Sequence, residues 1–256
     1  MAVATSPLDA LASLRAGRWV DLTHTFDADI PHCESFAPAT HEVLYHYDHG
    51  VGSQGHGFLA HRYSHVGQWG THVDPGAHFV RGKRFLDEIP VQEMILPLVV
   101  IDITDAVRHD PDYCISMEDV RFWESRHGPM PAGAFIAKRS GWSGRWPSQA
   151  AMMNRDAAGT AHFPGWSREV LGYVFEQRQA VACGHETTDT DSGLSISRGD
   201  LSLETYVLGL DRWQIELMTN LHSVPEHGAI VVASWPKPRG GSGFPARVFA
   251  IMPGSA

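Results

Sequence analysis

The sequence has little of what disulfide-rich, nucleic-acid-binding or membrane-spanning proteins require. Its 256 residues include only three cysteines, too few and too scattered for a disulfide framework or a thiolate zinc site. Lys and Arg number 20 against 29 Asp and Glu, and no basic run offers a face to nucleic acid or to an anionic membrane. The longest apolar run, Met94–Ile101, is far too short to cross a bilayer. These absences favour a soluble globular protein.

Signals for export and for several common chemistries are also missing. The N-terminal segment lacks the charged start and unbroken apolar core of a signal peptide, so we expect a soluble, cytoplasmic protein. No G-x-S-x-G elbow, phosphate-binding loop or dinucleotide fingerprint is present. No internal repeat, linker or charge block divides the chain, and residues 1–256 are therefore predicted to form a single domain.

Hydrophobic patterning predicts an α/β or α+β fold in which strands outnumber helices. The predicted strands are Arg18–Phe26, Met94–Thr104, Ala134–Lys138, Ala180–Cys183, Ala229–Trp235 and Arg247–Met252. The predicted helices, each opened by a serine with N-cap chemistry, are bounded by Ser6 and Gly17, by Ser116 and Gly128, and by Ser167 and Gln179. The segment Pro31–Gly57 shows little periodicity and is predicted to be an extended surface excursion with one short strand at Val43–Tyr47.

Histidine is the residue type in clear excess, since the chain contains 16. Three side chains suited to metal or proton chemistry fall within seven residues of one another, namely His72, Asp74 and His78. In an extended chain residues two apart point to the same side, so His72 and Asp74 can hold one ion between an imidazole and a carboxylate. The surrounding glycines and proline bend the chain, and this bend returns His78 towards the same point. An ordinary solvated turn is the alternative explanation of this spacing.

Three segments resemble one known family. Gln68–Phe79 resembles the H-x-G-T-H-x-D-x-P-x-H signature of the cyclase-like metal-dependent hydrolases, which include bacterial kynurenine formamidase and isatin hydrolase. Asp21-Leu-Thr-His24 resembles the opening D-L-[ST] strand of that family, and Gln214–Pro225 resembles its closing E-x-[LM]-x-N-L-x-x-[LV]-P segment. The resemblance runs from about residue 19 to 253. It implies a swivelling β/β/α domain, a mixed sheet with flanking helices, and a homodimer or homotetramer with active sites near subunit interfaces.

The resemblance also implies roles for individual residues. His72, Asp74 and Glu216 match metal ligands of the family, and His78 matches its proton-transfer histidine. Two positions depart from the pattern, because the family has histidine where this chain has Gln68 and Glu204. Both replacements can still ligate through oxygen. The proline after Asp74 also stands one place early.

The expected cofactor is one divalent metal ion. A ligand set with one imidazole among amide and carboxylate oxygens suits a harder, more octahedral ion than zinc. If Gln68, His72, Asp74, Glu204 and Glu216 all bind, manganese is therefore favoured over zinc.

The family chemistry is hydrolysis of a cyclic amide, imide or lactone, or of an N-formyl aryl amine, by an activated water with His78 as the base. His185 follows a predicted strand in a polar run and is the second catalytic candidate. Trp69, Trp142 and Arg239 are the candidates for binding a small-molecule substrate, the arginine by holding a carboxylate. Two other functions stay open: a metal-dependent lyase or isomerase on the same scaffold, and a non-catalytic protein that binds metal or ligand.

Overall fold

The computed structural model describes residues 6–48 and 57–254. Eleven strands lie in these ranges: β1 (Arg18–Asp21), β2 (Thr40–Tyr45), β3 (Ala60–Ser64), β4 (His72–Asp74), β5 (Ile95–Asp102), β6 (Phe135–Arg139), β7 (Ala182–His185), β8 (Trp213–Glu216), β9 (Ala229–Ser234), β10 (Phe244–Pro245) and β11 (Arg247–Met252). Nine of these strands form one sheet, in the order β1-β11-β9-β5-β6-β7-β8-β4-β10, while β2 and β3 pair separately.

The large sheet is mixed. Its centre is parallel, with β5, β6, β7 and β8 side by side. Strands β9, β11 and β1 continue one side in antiparallel pairing, and β4 and β10 continue the other. This mixed α/β arrangement confirms the expected fold class.

Seven α-helices accompany the strands in the described ranges: α1 (Pro7–Ala16), α2 (Thr104–His109), α3 (Met117–His127), α4 (Gln149–Met153), α5 (Arg168–Gly172), α6 (Gly193–Ser197) and α7 (Ser202–Gly209). Helix α3 starts as the sequence predicts, because the Ser116 side chain accepts from the Asp119 amide and the Asp119 carboxylate accepts from the Ser116 amide. None of the described helices has the length and apolar character needed to cross a membrane.

The centre of the sheet is buried on both faces, which explains the apolar run Leu98–Ile101 of β5. Val99 and Ile101 pack into one core with α3 and α5, and Leu98 and Val100 pack into a second core beneath β9 and β11. Alternate side chains of one strand therefore fill two cores, as expected for a central parallel strand.

Several predicted boundaries differ from the structure; for example, the strand predicted at Ala180–Cys183 is β7, Ala182–His185, so His185 ends the strand and does not follow it. The strand predicted over Arg18–Phe26 ends at Asp21, because the Thr23 hydroxyl takes over bonding to the backbone of Val248 (3.0 and 2.7 Å). The helix predicted to reach Gln179 changes after α5 into a π-helical turn, Tyr173–Gln177. The strand predicted at Val43–Tyr47 is β2, which begins three residues and ends two residues earlier than predicted. Residues 49–56 of the same segment lie outside the described residues.

Candidate active site

The first of two neighbouring groups of ligating atoms lies where β4 pairs with β8. The register sets His72 opposite Glu216, and Asp74 follows two residues later on the same face. Nδ1 of His72 donates to the carbonyl of Gly70 (2.8 Å), so its Nε2 faces the acids. That nitrogen lies 3.2 Å from Oδ2 of Asp74 and 3.5 Å from Oε2 of Glu216. These three buried residues offer ligand atoms within 4.8 Å of one another and could hold a metal ion.

A second group shares Asp74 and adds His78 and Glu204, again with ligand atoms within 4.8 Å. His78 ends the single 3₁₀ turn that follows β4, and its Nε2 lies 3.9 Å from Oδ1 of Asp74. Glu204 lies in the first turn of α7, where Asp191 accepts from the backbone amides of Leu203 and Glu204 (3.1 and 3.0 Å). Asp191 thus orients the start of the helix and, with it, the Glu204 side chain.

One buried amide joins the carboxylates of both groups. Nε2 of Gln214, on β8, donates to Glu204 and Glu216 (3.1 Å each) and lies 3.5 Å from Asp74. Its other end, Oε1, accepts a 2.6 Å hydrogen bond from the Thr190 hydroxyl. Gln214 therefore holds three acid groups together from one side.

Gln68 fixes Asp74 from another direction. Its amide nitrogen donates to Oδ1 of Asp74 (3.1 Å) and to the backbone carbonyl of Ser242 (2.8 Å). Gly243 follows Ser242, and a Cβ at this position would lie 1.9 Å from that amide nitrogen, so any other residue would displace the Gln68 side chain. The glutamine at the family's histidine position is thus built into the carboxylate cluster.

The cluster is short of positive charge. Burial, followed by repulsion from neighbouring carboxylates, raises the pKa values of Glu204 and Glu216 well above the ordinary range. Burial also acts on Asp74, yet the attraction of His72 outweighs it and lowers the pKa of Asp74 to about 2. Buried carboxylates and imidazoles packed this closely are the donor set of a divalent cation, so the residues present fit one.

His185 lies behind the cluster and is completely buried. Its Nδ1 accepts from the indole of Trp166 (3.2 Å), so the ring proton is on Nε2. Burial lowers the pKa of His185 well below its usual value, which keeps the ring neutral. Nε2 has no hydrogen-bond partner among the described residues and lies 3.5 Å from Oε1 of Glu216. His185 therefore faces a candidate ligand and not the open cavity.

The two groups form the floor of a cavity of about 430 Å³. Its apolar walls are formed by Phe36, Phe79, Met153, Ile196, Leu201 and Leu217. At its edge Arg155 pairs with Glu34 (2.5 Å). Polar floor and apolar walls are typical of a site for a small organic molecule.

The structure brings most of the sequence candidates together and separates others from them. The cavity is lined by Gln68, His72, Asp74, His78, Glu204 and Glu216. Trp69 lies beneath it, fully buried and stacked on His32, a residue of the cavity wall. Trp142 lines a different cavity and donates to the Met152 carbonyl (2.9 Å), while Arg239 is exposed on a loop outside the lining.

Several residues of the site were not predicted from the sequence. Arg155 lines the cavity, and Gln214 and Thr190 support its floor. A signal for Gln214 was present, since it precedes Glu216 by two residues on a strand and must share its face. The others come from loops whose course the sequence pattern does not indicate.

Comparisons with known proteins agree with this geometry. The family model named Cyclase, with the description "Putative cyclase", matches residues 20–192. An isatin hydrolase from Roseibium aggregatum is 31% identical over 189 residues, which cover 72% of this chain and 71% of that protein.

Solved structures give the same result over almost the whole length. Isatin hydrolase A from Ralstonia solanacearum matches with a TM-score of 0.87 and 32% identity, covering 98% of this chain and 99% of that one. An isatin hydrolase bound to the product analogue thioisatinate matches with a TM-score of 0.87 and 25% identity, covering 97% and 100%. The resemblance seen in the sequence is confirmed, and the chain belongs to the Cyclase family, the cyclase-like metal-dependent hydrolases.

Proposed function

We propose that this chain opens a cyclic amide, imide or lactone by hydrolysis and that isatin, the compound named in its relatives, is the first substrate to test. The observation that carries the proposal is the convergence of His72, Asp74 and Glu216 within 4.8 Å on the floor of a cavity with apolar walls. Such a cavity accepts a flat, largely apolar ring and presents its carbonyl to the polar floor.

The proposed metal ligands are His72, Asp74 and Glu216, with Glu204 completing the set. Gln68, which the sequence offers as a fifth ligand, is proposed to hold Asp74 through its amide nitrogen. A divalent ion bound there would polarise the scissile carbonyl and lower the pKa of a water molecule. The oxygen-rich donor set favours manganese over zinc. Elemental analysis of untagged protein purified without added metal tests this choice. About one manganese per chain, lost in His72→Ala, is expected, whereas zinc alone would contradict the preference.

His78 is the proposed general base. Its side chain is 21% exposed, and its Nε2 lies 3.9 Å from Asp74, so it meets both the cavity and the cluster. It takes a proton from the attacking water as the oxygen adds to the amide carbon. It then returns the proton to the ring nitrogen as the carbon–nitrogen bond breaks, leaving one carboxylate and one amine.

His185 is proposed to act through Glu216 and not on the substrate. It is 0% exposed, and its Nε2 lies 3.5 Å from Oε1 of that carboxylate. The proposed role is to hold the second oxygen of Glu216 towards His72, as outer partners of metal ligands do.

The three candidates for substrate binding lie at different positions relative to the cavity. Trp69 is proposed to support the cavity wall through His32, on which it stacks. Trp142 and Arg239 have no place in this proposal, because neither lines the cavity. Arg155 lines the cavity and is proposed for the carboxylate-binding role that was expected of Arg239.

Ring opening of isatin in a weakly buffered solution tests the function. Each ring opened should release one proton and consume one isatin, measured by a pH indicator and by absorbance. Asp74→Asn should lower kcat/KM by about 10²-fold or more, because the cluster loses a charged ligand. Asp105→Asn is the matched control, since Asp105 forms an exposed pair with Arg108. Isatin consumption without proton release would favour the lyase or isomerase. Absence of turnover on any lactone, imide or cyclic amide, despite bound metal, would favour a binding protein.

We also propose that the chain forms a homodimer or homotetramer. Leu44, Phe58 and Leu59 are exposed together near the end of the β2–β3 sheet, as expected of side chains that a second subunit covers. Sedimentation velocity tests the oligomeric state, and a monomer at micromolar concentration would contradict it.

A further inference from the structure

A pair of histidines lies on the two-stranded sheet, outside the cavity. In this sheet His41 stands opposite Tyr63, and Val43 stands opposite His61. Alternation along the strands puts His41, His61 and Tyr63 on one face. Nε2 of His41 lies 2.7 Å from Nδ1 of His61, and the Tyr63 hydroxyl lies 3.2 Å from the same nitrogen. We propose that these three residues form a second metal site, selective for an ion that prefers nitrogen ligands, such as Zn²⁺ or Cu²⁺.

The backbone holds the ligands at a suitable separation. Imidazole nitrogens bind zinc at about 2.0–2.1 Å, so two ligands of one ion can stand up to about 4 Å apart. The observed 2.7 Å is inside that limit, and a small rotation of either ring gives room for an ion between the nitrogens. The His41 ring lies parallel to the Tyr63 ring, at 4.8 Å and 10°, which restrains its orientation. Pairing of the strands thus brings two ligands together before any ion binds.

Neither imidazole forms an ion pair with a described acid group, so no carboxylate competes for the two rings. Among the described residues, no carboxylate lies within 4 Å of either ring, and the neighbouring acids are engaged elsewhere, Glu42 with Arg62 and Asp48 with His46. Two protonated imidazoles at this distance repel each other. The 2.7 Å contact between the two nitrogens is a hydrogen bond, and a bound ion would replace its proton and use both lone pairs.

This site and the cavity differ in chemistry. The cavity floor is dominated by carboxylate oxygens, which suit manganese or magnesium. The pair on β2 and β3 offers two imidazoles and a phenol, which suit copper, nickel and zinc. Zinc binds both kinds of site, so the zinc stoichiometry from one titration gives the number of sites.

Calorimetric titration of the metal-free full chain with Zn²⁺ tests the proposal. The parent chain should bind two zinc ions. His41→Ala and His61→Ala should each retain one ion and weaken binding of the other at least 10-fold. His109→Ala is the matched control, because His109 is exposed on α2 and bonds the carbonyl of Asp105 in its own helix; it should still bind two.

The same experiment separates this site from the proposed active site. His72→Ala should lose the ion in the cavity and keep the ion bound on β2 and β3. His41→Ala should leave ring opening unchanged. With one equivalent of Cu²⁺ added to His72→Ala, electron paramagnetic resonance should show coupling to two nitrogens, reduced to one by His61→Ala. Unchanged zinc stoichiometry and affinity in both His41→Ala and His61→Ala would overturn the second site, whatever the outcome in the cavity. An equal loss in His109→Ala would overturn it too.

Discussion

The Thr190 hydroxyl donates a 2.6 Å hydrogen bond to Oε1 of Gln214, and both side chains are fully buried. Because Oε1 is engaged there, the amide NH₂ points at Glu204 and Glu216. A reversed amide would set its oxygen against the carboxylate oxygens, with no donor between them. One hydroxyl on a loop therefore determines how the acid groups are held before a cation binds.

Thr190→Val should weaken metal binding while the fold persists. Valine has almost the shape of threonine but cannot donate, so the Gln214 amide loses its anchor and the carboxylates lose their common donor. We expect manganese affinity to fall about 10- to 100-fold, as for other partners of metal ligands. Thr190→Ser keeps the hydroxyl and should restore binding. Competition with a calibrated chelator measures both.

Thr187→Val is the control for this effect. Thr187 is equally buried, and its hydroxyl donates to the backbone carbonyl of Asp189 (2.9 Å) and not to Gln214. Its loss should cost about 1 kcal/mol of stability, the usual worth of one hydrogen bond, without changing manganese affinity. If both valine variants weaken manganese binding equally, the effect is general loosening of the loop and the orienting role of Thr190 is wrong.

His78→Ala should separate proton transfer from metal binding. As the base, His78 contributes about 10²- to 10⁴-fold to the rate, so kcat should fall by that factor. The metal should remain, because His72, Asp74 and Glu216 are untouched. Steady-state kinetics on isatin with elemental analysis of the same sample gives both readings. His222→Ala, an exposed histidine outside this cavity, should keep the full rate. An intact rate in His78→Ala would remove the residue from the mechanism.

Local spacing made part of the site predictable. His72 and Asp74 are two residues apart, and a strand necessarily places them on one face, as the structure has it. Their proximity to Glu216 depends on the pairing of β4 with β8, across more than 140 residues, and the sequence suggested it only through the family's closing segment. No local pattern in a single sequence indicates which distant strands will pair.

Side-chain direction in loops was beyond the sequence pattern. Trp142 follows a predicted strand, as a pocket residue would, yet its indole turns inwards and bonds the Met152 carbonyl. The Thr190–Gln214 hydrogen bond joins a loop to a strand 24 residues later, and neither residue type signals it. Periodicity identifies faces of helices and strands, whereas the contacts of a loop depend on the packing of its neighbours.

A partly buried carboxylate away from the active site makes the stability of the fold depend on pH. The Glu124 carboxylate, on α3, accepts from Nε and Nη2 of Arg178 (2.7 and 3.0 Å) and from the Tyr173 hydroxyl (2.7 Å). The Arg178 hydrogen bonds outweigh burial and, with the bonds from Tyr173 and Met130, lower the pKa of Glu124 from 4.5 to about 2. A carboxyl whose pKa is lower in the folded state stabilises the fold above its unfolded pKa. That contribution is lost as the pH falls from about 4.5 to about 2.

Glu124→Gln should therefore lower the free energy of unfolding at pH 7 by about 1–3 kcal/mol, the range for hydrogen bonds to charged groups. The difference from the parent chain should shrink steadily between pH 4.5 and pH 2, where the parent's own carboxyl becomes protonated. Urea unfolding followed by circular dichroism at several pH values measures it. Glu42→Gln removes the acid of an exposed pair with Arg62 and should cost less than about 1 kcal/mol at any pH. If the loss in unfolding free energy caused by Glu124→Gln stayed constant from pH 7 to pH 3, the charge of Glu124 would not be the cause of the destabilisation.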